Sequence, residues 1–142
     1  MSCHAGVAES TARRSIRRNA RTTAAVYQEL GGGAVWTFTH RWREIPHSAW
    51  GPIAVRASVE RAADIADAAL LGYPAALVQA YPLGQVTMVG GTKYVPCPYE
   101  NKGVECVRCR TCLTAQRAWA EPVVVLAIHG RRANKARRAY AA

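Results

Sequence analysis

A run of apolar, mostly β-branched residues between Pro122 and Gly130 limits most strongly how this chain can fold. The run reads VVVLAIH and ends at His129. A strand that is apolar at nearly every position is typical of a sheet covered on both faces, and such strands belong mainly to parallel sheets. The 142 residues suffice to bury a core in one domain. The sequence therefore predicts an α/β domain with a small, mainly parallel sheet.

A βαβ unit is predicted in the middle of the chain. Residues 53–57 (IAVRA) and 75–80 (AALVQA) have the apolar character of short strands. Between them, Ser58 is positioned to cap a helix that runs through Leu71, with an alanine-rich inner face. Two strands joined by such a helix normally pair in parallel.

Two further strand predictions flank this unit. Residues 34–43 alternate between apolar and polar side chains, which predicts a strand. Residues 85–95 predict two strands that meet at Gly90 and Gly91, as in a hairpin. The segment between this hairpin and Pro122 is rich in proline, glycine and charge, which is typical of a loop.

The predicted domain has basic helical segments at both ends. Residues 10–30 predict an arginine-rich helix with a narrow alanine stripe, and residues 31–33 are three glycines. We therefore divide the chain into an arm and linker, residues 1–33, and an α/β domain, residues 34–142. Residues 131–140 predict a second basic helix.

Four of the five cysteines lie within sixteen residues, at Cys97, Cys106, Cys109 and Cys112. Thiolates two residues apart can turn toward one centre, so CxxCxxC with one more cysteine offers four sulfur ligands. This crowding indicates a metal site rather than the disulfide framework of a secreted protein. Free or disulfide-paired thiols are the alternative interpretation.

The spacing favours a 4Fe-4S cluster, with a single zinc ion as the alternative. A CxxCxxC triplet with a remote Cys-Pro is similar to ferredoxin spacing, although here Cys97 precedes the triplet. Either centre carries a charge of about −2 with four thiolates. Lys102, Arg108 and Arg110 are predicted to offset that charge. A structural role for the centre is favoured over redox chemistry.

The net charge of +10 is concentrated near the two ends. Residues 22–130 hold nine Lys or Arg and eight Asp or Glu, so the body is nearly neutral. Clustered cations attract nucleic acids because each neutralised phosphate releases counterions; solvated ends are the alternative. The predicted nucleic-acid-binding residues are Arg13, Arg14, Arg17, Arg18, Arg21, Arg131, Arg132, Lys135, Arg137 and Arg138.

His129 is a candidate ligand-binding residue because it ends the apolar strand and precedes a predicted helix. Ligands of open α/β sheets gather at the carboxyl ends of strands. A histidine that only ends a strand is the alternative. His40 and His47 flank an aromatic stretch that can stack on unpaired bases, and Cys3 and His4 offer a weaker candidate at the start.

No stretch of about 20 apolar residues is present, as a membrane-spanning helix requires. Nor do residues 1–25 contain the apolar block of a secretory signal, although their arginine-rich composition can imitate a transit peptide. We therefore expect a cytoplasmic protein without membrane contact.

Several segments carry a resemblance to a known group of proteins: WTFTHRW at 36–42, SAWGPIAVRASVE at 48–60, LGYPAALV at 71–78, CP with CVRCRTC within 97–112, and AIHG at 127–130. Through them, residues 34–142 resemble uncharacterised proteins of actinobacterial phages and mobile elements. That group is similar to a broader phage family whose βα repeats resemble half of a radical SAM barrel. The resemblance implies an α/β fold and metal binding. The relatives carry further N-terminal cysteines where this chain has its arginine-rich arm.

Three functions are compatible with these features. The first is a metal-stabilised phage-type protein that binds nucleic acid or the host's nucleic-acid machinery. The second is an iron-sulfur enzyme, or a degenerate radical-SAM-like enzyme, with its site around His129. The CxxxCxxC spacing usual for radical SAM clusters does not occur in the chain. The third is a regulator that binds a host protein.

Overall fold

The structure is a computed structural model that describes residues 18–23, 25, 29, 35–113, 121–130 and 132–140. Residues 18–23 are helical, and the rest of the predicted N-terminal helix lies mostly outside the described residues. Within the described ranges, no helix is long and apolar enough to span a membrane.

One six-stranded sheet organises the domain. Its strands are β1 (Trp36–Thr39), β2 (Ala54–Val59), β3 (Ala75–Gln79), β4 (Thr87–Val89), β5 (Thr92–Pro96) and β6 (Val123–Ala127). The strand order is β1-β2-β3-β6-β5-β4, and every pair is parallel except β4 with β5. The predicted α/β class with a mainly parallel sheet is confirmed. Because β6 lies between β3 and β5, its apolar run pairs on both sides.

Short helices connect the strands, and one more helix follows the last strand. They are α1 (Asp64–Leu70), α2 (Pro98–Lys102), α3 (Cys106–Cys109) and α4 (Ala133–Tyr140), with a 3₁₀ helix at His47–Trp50. Gly90 and Gly91 both have positive φ, 54° and 80°, as the twist of a two-residue hairpin turn requires. The predicted hairpin between β4 and β5 is therefore confirmed.

The predicted helix start at Ser58 is wrong, although the βαβ unit itself is confirmed. Strand β2 continues through Ser58 and Val59, which pair with Ala76 and Leu77 of β3. Both residues are buried, and the Ser58 carbonyl accepts a hydrogen bond from the indole of Trp42 at 3.2 Å. Burial and pairing of these residues outweigh the capping preference of serine, so α1 begins later, at Asp64.

The two faces of the sheet have different covers. Val55, Ala57 and Val59 of β2 project from what we call the helix face, where they pack with Ala68 of α1 and with Tyr73. Side chains alternate along a strand, so the opposite face carries a second set of residues. Those that are buried there are Arg56, Ser58, Ala76 and Val124. We call this second surface the cysteine face.

Replacing Tyr73 with phenylalanine should destabilise the helix-face core. The buried Tyr73 hydroxyl donates to the Ile45 carbonyl at 2.7 Å and accepts from the Trp50 indole at 3.0 Å. Its removal leaves both groups unpaired, which costs about 1–3 kcal/mol. Urea unfolding measures this loss. The control Tyr81→Phe changes an exposed tyrosine and should stay within about 0.5 kcal/mol of wild type; equal losses in both variants would contradict the prediction.

Candidate metal centre

The first cysteine is positioned by the end of the sheet. Cys97 follows β5 directly, and its backbone N–H donates to the Val125 carbonyl of β6 at 2.9 Å. Pro98 then occupies the first turn of α2, where a proline is well tolerated. Gly103 ends α2 in the left-handed region, with a φ of 66°. Cys97 is therefore anchored to the sheet, while the chain after it turns back.

The next two cysteines share a single helical turn. Helix α3 spans Cys106–Cys109, and the Arg110 N–H donates to the Cys106 carbonyl at 2.9 Å. Arg110 has a φ of 56°, the only positive value outside glycine among the described residues. This reversal lets the chain fold back through a turn at residues 111–113, so that Cys112 returns toward α3.

All four cysteines line one small cavity of about 20 Å³. They are free thiols; Cys106 is exposed, and the other three are half-buried. The Cys109 sulfur lies 3.1 Å from the Thr111 hydroxyl oxygen. Within the described residues, no group of three or more His, Cys, Asp or Glu side chains is already arranged to hold a metal ion. The structure thus brings the predicted ligands to one cavity without closing them around a single point.

Arg56 lies on the cysteine face and reaches Thr111, one of the residues that line this cavity, and its side chain is only 1% exposed. One terminal nitrogen donates to the carbonyls of Ala75 and Pro122, both at 3.1 Å, and the other donates to the Thr111 carbonyl at 3.0 Å. Glu121 is its acidic neighbour, at 3.8 Å. We call residues 97–112 the cysteine loop. Arg56 of β2 thus connects β3, at Ala75, with the cysteine loop, at Thr111.

The charges of Arg56 and Cys112 depend on each other. Burial lowers the pKa of the Arg56 guanidinium, whereas the neighbouring Cys112 and Glu121 act to raise it. Burial likewise raises the pKa of the Cys112 thiol, Arg56 opposes that rise, and the negative charges of the other three cysteines add to it. The thiols are therefore close enough to repel one another when ionised.

Sequence patterns did not predict the role of Arg56. An arginine within a strand such as IAVRASV is usually taken for the solvated side of that strand. The signal that could have found it is the apolar character of the same face on the neighbouring strands, at Ala76 and Val124. Of the three residues predicted to balance the charge, Arg110 lines the cavity, whereas Lys102 and Arg108 are exposed.

His129 stands beyond the end of β6, close to Glu100 of α2. The Glu100 carboxylate accepts the Ala127 N–H at 2.7 Å, and its other oxygen lies 3.3 Å from Nδ1 of His129. The Ala127 carbonyl is also within 2.9 Å of Nδ1. The Ala127 carbonyl can only accept, so a hydrogen bond there places the proton on Nδ1. Oε1 of Glu100 is near but makes no hydrogen bond. The other ring nitrogen, Nε2, is left free of this interaction on a side chain that is 81% exposed.

The predicted nucleic-acid-binding residues divide into several groups. Arg13, Arg14, Arg17 and Arg131 lie outside the described residues, as do Cys3 and His4. Arg18, Arg21, Arg132, Lys135 and Arg138 are exposed.

Arg137 differs from these because its guanidinium is engaged within the domain. It donates to the carbonyls of Ala80 and Ile128, both at 2.9 Å, and lies 5.5 Å from the ring centre of Tyr81. These contacts hold α4 near the carboxyl ends of β3 and β6. Since the charged group is occupied by carbonyls, the inward position of Arg137 makes it a poorer phosphate ligand than its exposed neighbours.

The aromatic stretch does not offer Trp42 for base stacking. Its side chain is buried in the helix-face core, and the Arg43 guanidinium covers it at 3.7 Å from the ring centre. His47 is half-buried and contacts Tyr73 edge to face, whereas His40 is exposed.

Comparison of the chain with protein-family models, curated proteins and solved structures finds no match. The resemblance to phage proteins therefore stays a prediction from the sequence.

Proposed function

We propose that Cys97, Cys106, Cys109 and Cys112 hold a metal centre that stabilises the cysteine loop against the sheet. The observation that carries this proposal is the convergence of four free thiols on one cavity, whose lining residue Thr111 is bonded by a buried arginine. Few apolar side chains of the loop cover the cysteine face, and Tyr99 and Val107 are largely exposed. A centre with four sulfur ligands supplies the cross-links that such a loop lacks.

The chemistry of the ligand set fits a metal better than it fits free thiols. Four thiolates around a divalent ion or a cubane give a centre of about −2. A buried cation is present beneath them in Arg56, which has limited compensation from Glu121. Opposite charges at short range stabilise each other strongly where water is excluded.

The proposed centre has two possible forms, a 4Fe-4S cluster and a single zinc ion. The CxxCxxC spacing supports a 4Fe-4S cluster, whereas four thiolates from one chain also suit a tetrahedral zinc ion. Metal analysis of protein purified without oxygen decides between them. Colourless protein with about one zinc per chain supports the single ion, and brown protein with iron and sulfide supports the cluster. Protein that retains neither would refute the metal centre.

We further propose that the exposed cations of α4 form the nucleic-acid-binding surface. Arg132 directly precedes α4, and Lys135 and Arg138 lie within it. The three cations are spaced three residues apart, so they lie on the same side of the helix. The contacts of Arg137 fix that helix to the sheet, which presents the three cations on a rigid support. A net charge of +10 supports attraction to phosphates. Arg18 and Arg21 add cations from the N-terminal segment.

This proposal agrees with the resemblance to phage and mobile-element proteins, which act in the cytoplasm of a bacterial host. Retention on immobilised DNA or RNA, measured as a function of salt, tests the binding function. Removing residues 1–21 in the same assay shows how much of the retention depends on the N-terminal cations. Wild-type protein that is not retained even at low salt would favour a protein partner in the host instead.

An enzyme is the second candidate, and the Glu100–His129 pair is the observation that favours it. A histidine whose Nδ1 is held by the Ala127 carbonyl, with a carboxylate 3.3 Å away and Nε2 free, is an arrangement suited to proton transfer. If the centre is a 4Fe-4S cluster, incubation of the reduced protein with S-adenosylmethionine tests radical chemistry. We expect no 5′-deoxyadenosine, because four cysteines leave no iron open for the cofactor; its formation would support the enzyme.

A further inference from the structure

Arg56 has fewer charge partners than a buried guanidinium needs. Its three hydrogen bonds go to neutral backbone carbonyls of Ala75, Pro122 and Thr111. Among the described residues Nε has no hydrogen-bond partner, and the one carboxylate that pairs with the guanidinium, that of Glu121, is 3.8 Å away. A buried charge is costly unless it is paired. The local protein groups therefore leave part of the positive charge unbalanced.

The cysteine loop provides the remaining anionic groups. The guanidinium donates to the carbonyl of Thr111, the residue directly before Cys112, and Cys112 shares its cavity with the other three cysteines. A hydrophobic residue would cover Ala76 and Val124 at lower cost than an arginine. The presence of a cation under the thiols is therefore explained best by a negatively charged occupant of their cavity.

We propose that Arg56 is a positioning residue that selects a dianionic four-thiolate centre and couples its binding to the docking of the cysteine loop. This inference rests on the proposed metal centre. It adds that the site favours a centre with a charge of about −2. Glu121 has the opposite effect, because its carboxylate competes with the centre for the same guanidinium.

Titration of the reduced, metal-free full-length protein with Co²⁺ tests this role. Cobalt bound to thiolates gives charge-transfer and visible absorption bands, so affinity and ligand set are read together. The variants are Arg56→Met, Arg56→Lys and Glu121→Gln. Wild type is expected to bind Co²⁺ with all four sulfurs.

A role through charge predicts opposite effects at the two positions. Arg56→Met should weaken Co²⁺ binding at least tenfold, whereas Arg56→Lys, which keeps the charge but loses the forked hydrogen bonds, should recover most of that loss. Glu121→Gln should bind about threefold more tightly, because the competing anion is gone. An arginine that only holds the backbone would make Arg56→Lys as weak as Arg56→Met and leave Glu121→Gln unchanged or weaker.

The outcomes separate the failure of this role from the failure of the site. Wild-type protein without cobalt-thiolate bands refutes the single-ion form of the proposed centre and this inference with it. Wild type that binds, with Arg56→Met within twofold of it, refutes only the role of Arg56. If Arg56→Met loses its helical circular dichroism signal, the role of Arg56 is judged from Arg56→Lys and Glu121→Gln instead. Arg56→Lys keeps the positive charge, and Glu121→Gln removes the carboxylate that competes with the centre for it.

Discussion

Replacing Cys106 with serine should remove the bound metal and strongly destabilise the protein, although Cys106 is exposed. Outside a special site, an exposed substitution changes stability by less than about 0.5 kcal/mol. Cys106 supplies one of four proposed ligands, and its loss leaves Arg56 buried without its full anionic partner. Removing one partner of a buried charge pair costs about 3–5 kcal/mol. We expect the metal content to fall below about a tenth of the wild-type value and the melting temperature to fall by about 10 °C.

The matched control is Cys3→Ser, which removes the one cysteine outside the proposed site. Its metal content and melting temperature should equal those of wild type. A second comparison uses protein stripped of metal by a chelator, in which Cys106→Ser and wild type should melt within about 2 °C of each other. If Cys106→Ser keeps its metal, or if it is equally destabilising with and without metal, the proposed centre is wrong.

Local patterns predicted the sheet well because they reflect constraints that act within a few residues. Strand β6 pairs with a strand on each edge, and both of its faces are covered. Such a strand needs apolar side chains at nearly every position, as the run VVVLA has. The hairpin followed from Gly90 and Gly91, whose positive φ values other residues adopt at a cost. In both cases the sequence carries the constraint itself.

The start of α1 was not predictable in the same way. Ser58 has the chemistry of a helix cap, but it lies on the strand because Trp42 and Ala76 contact it from distant parts of the chain. Tertiary contacts therefore override a local preference there. The boundary of the helix is decided by what packs against Ser58, and no window of sequence around it contains that information.

The candidate site shows the same division. The spacing of the cysteines predicted that Cys106, Cys109 and Cys112 would come together, since one helical turn and one reversal suffice. The contribution of Arg56 depends on a segment 55 residues away that folds over the cysteine face. The local sequence indicates the candidate ligands, whereas the sheet supplies the neighbouring positive charge of Arg56.

The fold also connects the two proposed functions. Glu100 of α2 accepts the Ala127 N–H at the end of β6, so the segment that follows Cys97 is tied to the strand that leads into α4. Arg137 then fixes α4 to the same edge of the sheet. In the proposed function, a centre that orders the cysteine loop would therefore also stabilise the edge of the sheet to which α4 is attached.

Replacing Arg132, Lys135 and Arg138 together with glutamine should weaken binding to duplex DNA at least about tenfold at low salt. Each exposed cation that neutralises a phosphate contributes about 0.9 to the slope of log affinity against log salt concentration. Loss of three such contacts should therefore reduce the slope by about 2–3, while the melting temperature stays near that of wild type because all three residues are exposed. Fluorescence anisotropy with a labelled duplex at several salt concentrations measures both quantities.

Two controls distinguish binding by a defined surface on α4 from binding that depends only on the net charge. Replacing Arg41, Arg61 and Lys93 with glutamine changes the net charge equally, at other exposed positions, and should change the slope by less than about 1. Arg137→Gln should instead lower stability, because the Ala80 and Ile128 carbonyls lose their donor, with a smaller direct effect on the slope. Equal weakening by both triple variants would mean that only total charge matters, and the assignment of α4 as the binding surface would then be wrong.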